Sequence, residues 1–502
     1  MNTKPAGPDA ASGWGQSPNM SAFETLTWRV EADPRLRSAF TLVDLLDRAP
    51  DWERLLNAHD WGTRMVPRFR QRVIEPALPV GPAMWAVDPN FDLGYHLRRV
   101  RLPEPGTIGQ LLQLAQQLAM TPFDRARPPW EATLVEGLED GRSAYILKLH
   151  HSATDGLGGI QLLSLLHSPT RDPSPDKPEP AAPAPQTITP MGLLADELVQ
   201  QVRSAPAAAA TLATGVLGLA RRALARPDRA VGDVLRLARS ARRVLTAAPA
   251  PRSPLLRGAS LSFRFVAHQV PLTELKAAAR AADGSVNDAF LAALLGGFRR
   301  YHEHFGVSID VLPVAIPISL RADDDPMGGN RFAGARFAAP LGEPDPRERI
   351  RLVREFVRSA RDEPAIDALS VLAPMLSRLP TRVLTPPIAQ YARGHDLQAS
   401  NVPGIAHPVY LAGARITHMY PFGPLPGCAA MAALVSHDGT CCIGVNLDPA
   451  AITDPDTFVD CLRAGFDEVL ALRPPVVSES GVTHLPPRHR RSGQRSNHDT
   501  ET

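Results

Sequence analysis

The stretch AYILKLHHSATDGLGGIQLL, residues 144–163, decides how this sequence is read. Ala144 to Leu149 is a short apolar run broken only by Lys148 and reads as a strand, while the spacing of Leu157, Ile160, Leu162 and Leu163 reads as a helix. A strand that ends in two histidines, turns through small residues with Asp155 and Gly156, and enters a helix puts an imidazole at the edge of a cleft. Histidine suits a general base there, because its unperturbed pKa of ~6.5 leaves it largely neutral near pH 7. Asp155, four residues after His151, can fold back to fix the turn. The plainer structural alternative is a histidine pair satisfied within the turn, with Asp155 as a helix N-cap. The whole H-H-x-x-x-D-G string favours the catalytic reading of His150 and His151.

Around this stretch the chain divides by punctuation. Residues 1–19 are polar and read as a disordered N-terminus. Residues 20–167 mix amphipathic helical pattern (Leu111, Leu112, Leu114, Ala115, Leu118) with short strands. Residues 168–190 hold too much proline for either element and read as a linker. Residues 191–250 are rich in Ala, Arg and Leu without a strand signal. Residues 259–472 alternate again, with helices expected over 271–282 and 286–304 and strands over 311–318, 409–416, 431–437 and 440–447. The polar tail, residues 475–502, reads as disordered. Two α+β blocks joined by a proline-rich crossover suggest two related lobes, with chemistry in the cleft between them.

Composition narrows the function. The chain has 502 residues and 51 prolines, and its 54 basic and 52 acidic residues leave a net charge of +2, which predicts no attraction to nucleic acid. Its four cysteines, Cys428, Cys441, Cys442 and Cys461, form no C-x-x-C pair and no zinc-type spacing. The first 20 residues carry no apolar signal region, and no apolar run reaches the ~18 residues of a spanning helix, so a cytoplasmic location is expected. No G-x-S-x-G elbow or Walker loop is present, and Gly156 to Gln161 fails G-x-G-x-x-G at its last position. Direct transfer without a covalent enzyme intermediate is therefore the simpler chemistry, and no metal or redox cofactor is implied.

The H-H-x-x-x-D-G string resembles the acyltransferase motif of chloramphenicol acetyltransferases, peptide-synthetase condensation domains and the bacterial wax ester synthase/diacylglycerol acyltransferase family. The last of these matches most of the chain. Pro128-Pro129-Trp130-Glu131 resembles its P-L-W-E segment with Pro129 in place of Leu, and Ser285-Val286-Asn287-Asp288 resembles its V-N-D motif. Pro317-Ile318-Ser319-Leu320-Arg321 and Gly329-Asn330-Arg331 are similar to its P-V-S-L-R and G-N-R elements, and Ser400-Asn401-Val402-Pro403-Gly404 is similar to its S-N-V-P-G. Val66-Pro67-Arg68-Phe69-Arg70 extends the likeness upstream.

The resemblance implies an α+β, two-lobed coenzyme A-dependent acyltransferase fold of the chloramphenicol acetyltransferase/condensation type, with an active-site channel between the lobes. His151 would take the proton of an alcohol, which then attacks a fatty acyl-coenzyme A. The acceptors implied are diacylglycerol or a long-chain alcohol, giving triacylglycerol or wax ester. Asp155 would be structural, paired by analogy with Arg70, or failing that Arg68 or Arg321. Asn287 can be explained by helix capping or by site support. Asn401 reads as part of a turn, with a place beside the acyl carbonyl as the alternative. Trp130, with Pro129, is a candidate for the acyl-chain channel and otherwise core. The rivals are a condensation-type enzyme using a carrier-protein thioester and a non-catalytic lipid-binding protein.

One further segment stands out. Residues 191–250 hold nine arginines against four acids, and Asp228 to Leu245 sets Val231, Val234, Leu235, Ala238, Ala241 and Leu245 on one helical stripe. The stripe either packs on a lobe or docks on an anionic membrane or lipid-inclusion surface.

Overall fold

The computed structural model describes residues 17–154, 159, 165–172, 180–203, 250–319, 332–361 and 368–473. From the N-terminus come α1 (Ala22–Val30), β1 (Ala39–Leu46), α2 (Trp52–Met65), β2 (Gln71–Ile74), β3 (Met84–Val87), β4 (Leu97–Arg101), α3 (Ile108–Met120), β5 (Trp130–Glu136) and β6 (Ser143–His150). A helix over 190–203, α4, follows. Then come β7 (Arg264–Pro271), α5 (Leu272–Ala281), α6 (Val286–His304), β8 (Val311–Ser319), β9 (Phe332–Pro340), α7 (Pro346–Arg361), α8 (Ala368–Leu376) and α9 (Thr381–Ala392). The chain continues through β10 (Leu397–Val402), β11 (Tyr410–Leu411), β12 (Ala414–Phe422), β13 (Ala430–His437), β14 (Thr440–Leu447) and α10 (Pro455–Leu470).

Local chemistry fixes the helix starts. Ser21 with Glu24, Thr107 with Gln110, and Ser285 with Asp288 each form a reciprocal capping box that satisfies the first free amides of α1, α3 and α6. The strands assemble into a six-stranded sheet of order β11-β12-β1-β6-β5-β4 and a second of order β7-β14-β13-β10-β8-β9. The motif strand β6 is central, hydrogen-bonded to β1 on one side and β5 on the other, and all eight of its residues are buried. Burial on both faces explains its apolar run in place of strict alternation.

The lobes are not successive in the chain, as a boundary near residue 259 would have them. Residues 414–422 cross back into the first sheet and pair antiparallel with β1, Thr41 opposite Phe422 and Leu46 opposite Ile416. The single strand expected over 409–416 is instead the β11–β12 hairpin, broken where Ala412 and Gly413 take φ of +46° and +89°. Positive φ at both turn residues matches the right-handed twist of the flanking strands. Ile416 and Met419 of the crossing strand share one apolar cluster with Trp130, Leu147 and Leu149, so burial ties the lobes together.

The second sheet is covered by α6 and α10, which approach closely through glycine. A Cβ at Gly465 would sit 2.4 Å from the Ala293 carbonyl. Arg349 is fully buried beside them. Its guanidinium donates to the Ala292 and Glu343 carbonyls at 2.9 and 2.8 Å and pairs with Glu468, joining α6, α7 and α10. Part of the proline-rich linker is pinned, because Gln186 exchanges hydrogen bonds with the Val87 backbone at the edge of β3. The amphipathic stripe at 228–245 lies outside the described residues.

Candidate active site

The two histidines at the end of β6 have opposite surroundings. His150 is fully buried. Its Nδ1 accepts the Ser152 backbone N–H at 3.0 Å and lies 2.7 Å from Ser152 Oγ. A ring nitrogen that accepts has no proton in the neutral ring, so the proton sits on Nε2. Nε2 is 2.9 Å from Glu31 Oε1, off the line of a well-aligned hydrogen bond, so the contact is chiefly electrostatic. The ring edge of Trp28 packs at 5.0 Å and that of Phe123 at 6.2 Å.

Glu31 is the C-cap residue of α1 and accepts the Ser38 backbone N–H. Burial would raise its carboxyl, but His150, the Ser38 amide and Arg125 outweigh that and hold it below the ordinary carboxylate value. An anion therefore sits beneath the first histidine. Nothing in the sequence marks it, since Glu31 stands 119 positions before His150, in no motif.

His151 is half-buried, and its backbone N–H donates to the Ser38 carbonyl at 3.0 Å. Its ring lies 4.9 Å from the Phe40 ring, tilted by 45°. Phe40 in turn presses on Gly159, where a Cβ would be 3.3 Å from it, so the glycine makes room for the ring that supports His151. One segment, Ser38 to Phe40, thus holds both Glu31 and His151.

Asp155, Gly156 and Arg321 lie outside the described residues. Arg70 is engaged by α2, with Nη2 2.6 Å from Asp60 Oδ1, Nε donating to Thr63 Oγ1 at 3.1 Å, and the guanidinium 4.6 Å over the Phe91 ring. Arg68 points elsewhere. Its guanidinium lies 4.2 Å over the Trp85 ring, and Trp85 packs in one cluster with Trp28 and Ala153 of the histidine turn. Burial pushes Arg68 down to about 10, despite the Glu24 charge.

The Pro-Trp segment adjoins the same turn, for the Pro129 carbonyl accepts the His150 backbone N–H at 3.1 Å. Trp130 is buried, donates from Nε1 to the Phe69 carbonyl at 2.8 Å, and stacks on His96 at 4.6 Å. It also lines a 20 Å³ apolar cavity with His59, Phe69, Tyr145, Leu147 and Leu166. Burial pushes both His59 and His96 down to about 4, so these rings are neutral packing groups at neutral pH.

Asn287 stands in the first turn of α6, half-buried, beside the Asp288 carboxylate that closes the capping box. Asn401 is not in a turn. It belongs to β10 and pairs in parallel with Leu434. The turn chemistry of Pro403 and Gly404 begins only after it, and Val402 and Ile405 pack in the cluster that holds Leu165, just beyond the motif, and Trp130. A small cleft of about 20 Å³ opens between Arg35 and Arg37 of the first lobe and Ser260, Leu261 and Phe263 of the second. Among the described residues no group of three or more His, Cys, Asp or Glu is placed to hold a metal, and no helix is long and apolar enough to cross a membrane.

Two lobes with a crossing strand and a histidine turn at the end of a central strand make the two-lobed acyltransferase fold of the chloramphenicol acetyltransferase/condensation type. The pattern described as "Wax ester synthase/diacylglycerol acyltransferase catalytic domain" matches residues 20–290, and that described as "WS/DGAT C-terminal domain" matches residues 328–469. The chain belongs to the wax ester synthase/diacylglycerol acyltransferase family and is an acyltransferase. A relative from Mycobacterium tuberculosis, named "Putative diacyglycerol O-acyltransferase", is 43% identical over 91% of this chain and 94% of its own length. The wax ester synthase/diacylglycerol acyltransferase of Marinobacter aquaeolei has a similar fold, with a TM-score of 0.59, 22% identity, and coverage of 90% of this chain and 98% of that one. So does the first condensation domain of the calcium-dependent antibiotic synthetase, with a TM-score of 0.56, 15% identity, and coverage of 92% and 98%.

Proposed function

We propose that this protein esterifies diacylglycerol and long-chain alcohols with fatty acyl-coenzyme A, with His151 as general base and direct transfer to the acceptor. The observation that supports it most is the division of labour at the turn, where His150 is sequestered over Glu31 and His151 is left half-buried on Phe40. A neutral His151 ring takes the proton of the acceptor hydroxyl as its oxygen attacks the thioester carbonyl carbon. The tetrahedral intermediate collapses, the C–S bond breaks, and the imidazolium returns its proton to the leaving thiolate, so that ester and free coenzyme A result. Asn287 and Asn401 are candidates to support the carbonyl, and Pro129 and Trp130 border the acyl chain. The work is done at the cytoplasmic face of the inner membrane or on lipid inclusions, where such substrates reside.

The test supplies purified protein with palmitoyl-coenzyme A and equal concentrations of dioleoylglycerol and hexadecanol. Both triacylglycerol and wax ester are expected, triacylglycerol in excess, because an apolar pocket discriminates related chains by only ~1 to 3 kcal/mol. No ester from either acceptor, with the protein folded, would overturn the reading.

Asp155 is proposed to brace the turn through an arginine. Arg70, the partner expected by analogy, already has Asp60 and Thr63, and Arg68 is the arginine beside the Trp85–Ala153 cluster. In a double-mutant cycle on stability, Asp155→Ala and Arg68→Ala are expected to be non-additive by ~1 to 3 kcal/mol, and Asp155→Ala with Arg70→Ala additive. Coupling to Arg70 alone would restore the first assignment.

A further inference from the structure

The α8–α9 hairpin is unlike the rest of the surface. Leu372, Met375 and Val383 are 37, 71 and 58% exposed, although single exposed aliphatics are scattered widely elsewhere. From Ala368 to Arg393 the chain carries Arg378, Arg382 and Arg393 and no acid. Arg378 and Arg382 are exposed and make no ion pair among the described residues. The acids at 362, 363 and 367 precede this stretch, outside the described residues. A hairpin that shows aliphatic tips among unpaired cations, in a chain of net charge +2, is locally far more basic than the whole.

A second element meets it. Arg29 of α1 donates to the Ser377 carbonyl at the end of α8 and, at 3.3 Å, to the Gly81 carbonyl. Gln201 of α4 holds the same loop through the Val80 carbonyl. That loop and helix expose Leu78, Leu198, Val199 and Val202, the last at 75%. Arg29 therefore ties the end of α8 to the 77–81 loop, so that the two sets of exposed aliphatics belong to adjoining elements.

The inner face of the hairpin leads to the catalytic turn. Leu384 and Ala389 of α9 pack in one cluster with Leu26 and Val30 of α1 and with Leu36. The same helix α1 presses Trp28 on His150 and is capped by Glu31. Whatever rests on the hairpin is one helix away from the histidines.

We infer that the α8–α9 hairpin, flanked by the 77–81 loop and α4, is the face by which this protein lies on an anionic phospholipid surface. Met375, Val383 and Leu372 enter the headgroup–acyl boundary, and Arg378 and Arg382 meet lipid phosphates. The lipid source of the occupant rests on the proposed function; the surface itself rests on exposure and charge. The hairpin itself carries Arg378 and Arg382 and no acid, the acids of the face, Asp196 and Glu197, being set back on α4. A cationic, acid-free tip suits a surface of uniform negative charge, whereas a protein partner would need matched acids at two particular positions.

The test is sedimentation of the full chain with vesicles of phosphatidylglycerol and phosphatidylcholine mixed equally, against pure phosphatidylcholine. Wild type is expected to pellet with the anionic vesicles, less so as salt rises. M375E/V383E and R378Q/R382Q should each weaken that binding by about tenfold or more. Both should keep their activity on short acyl-coenzyme A with a water-soluble alcohol and lose it on vesicle-embedded diacylglycerol. Wild-type failure to bind, or either variant binding as well as wild type, overturns the inference. A stable dimer in buffer that M375E/V383E dissociates, with no vesicle binding, assigns the face to a second copy instead. Vesicle binding that the variants abolish, in a protein that makes no ester from any acceptor, keeps the surface and overturns the proposed reaction.

Discussion

His151→Ala is expected to lower turnover by about two to four orders of magnitude, the usual contribution of a general base, with the melting temperature nearly unchanged. The half-buried ring contacts Phe40 and contributes little to the core. His150→Ala should cost less turnover and more stability. It removes a fully buried ring from between Trp28 and Phe123 and leaves the Glu31 carboxylate without its histidine. Leaving a mostly buried carboxylate without one of its polar partners costs ~1 to 3 kcal/mol, towards the lower end here because Glu31 keeps the Ser38 amide and some solvent. Glu31→Gln, which keeps shape and removes charge, should fall between wild type and His150→Ala. Steady-state rates with palmitoyl-coenzyme A, read beside thermal unfolding of the same samples, separate these roles. If His150→Ala proved slower than His151→Ala with both folded, the base would have to be reassigned.

What was legible in the sequence is what local chemistry controls. The helix expected over 286–304 is α6, because Ser285 and Asp288 announce its start and an apolar run sustains it, with Gly296 and Gly297 in its middle tolerated where α10 packs closely. The strand expected over 440–447 is β14, delimited by Asp438 and Gly439 at positive φ before it. Motif spacing carried the family and the two-lobed fold for the same reason. Features that depend on distant pairing were not legible. The exchange of β12 into the first sheet joins residues 370 or more positions apart, and its apolar pattern would fit either sheet. The break at Ala412 was hidden because alanine seldom signals positive φ. Asn401 was read one element too late, since Pro403 and Gly404 mark a turn that begins where its strand ends. Glu31 was invisible because a helix C-cap glutamate is ordinary until the fold sets a histidine against it.

Stability should fall steeply as the solution is made mildly acid. Burial pushes His59, His96 and His395 down to about 4 and His167 down to about 3. In the unfolded chain each would titrate near ~6.5. Between those values the unfolded state binds protons that the folded state refuses, so the stability these rings provide is complete above about pH 6.5 and is lost as pH falls towards their folded values. From pH 7 to pH 5 each ring forfeits ~1.8 kcal/mol, or ~7 kcal/mol for the four. Asp44 and Asp396 work in the opposite sense, because burial holds both above the ordinary aspartate value and the folded state is then the one that takes up protons. Asp44 is the stronger case, fully buried, with neither carboxyl oxygen hydrogen-bonded among the described residues and His167 Nε2 3.9 Å away. Over two pH units the two aspartates can return at most ~5 kcal/mol together. The expected net loss is therefore at least ~2 kcal/mol, a large share of the ~5 to 15 kcal/mol that holds a domain folded. Urea unfolding at pH 7, 6 and 5 measures it, and His59→Gln should flatten the dependence by ~1.8 kcal/mol. A stability that stays level or rises between pH 7 and 5 would mean that these rings carry protons inside the fold, and that the cavity beside Trp130 is wet and polar instead of apolar.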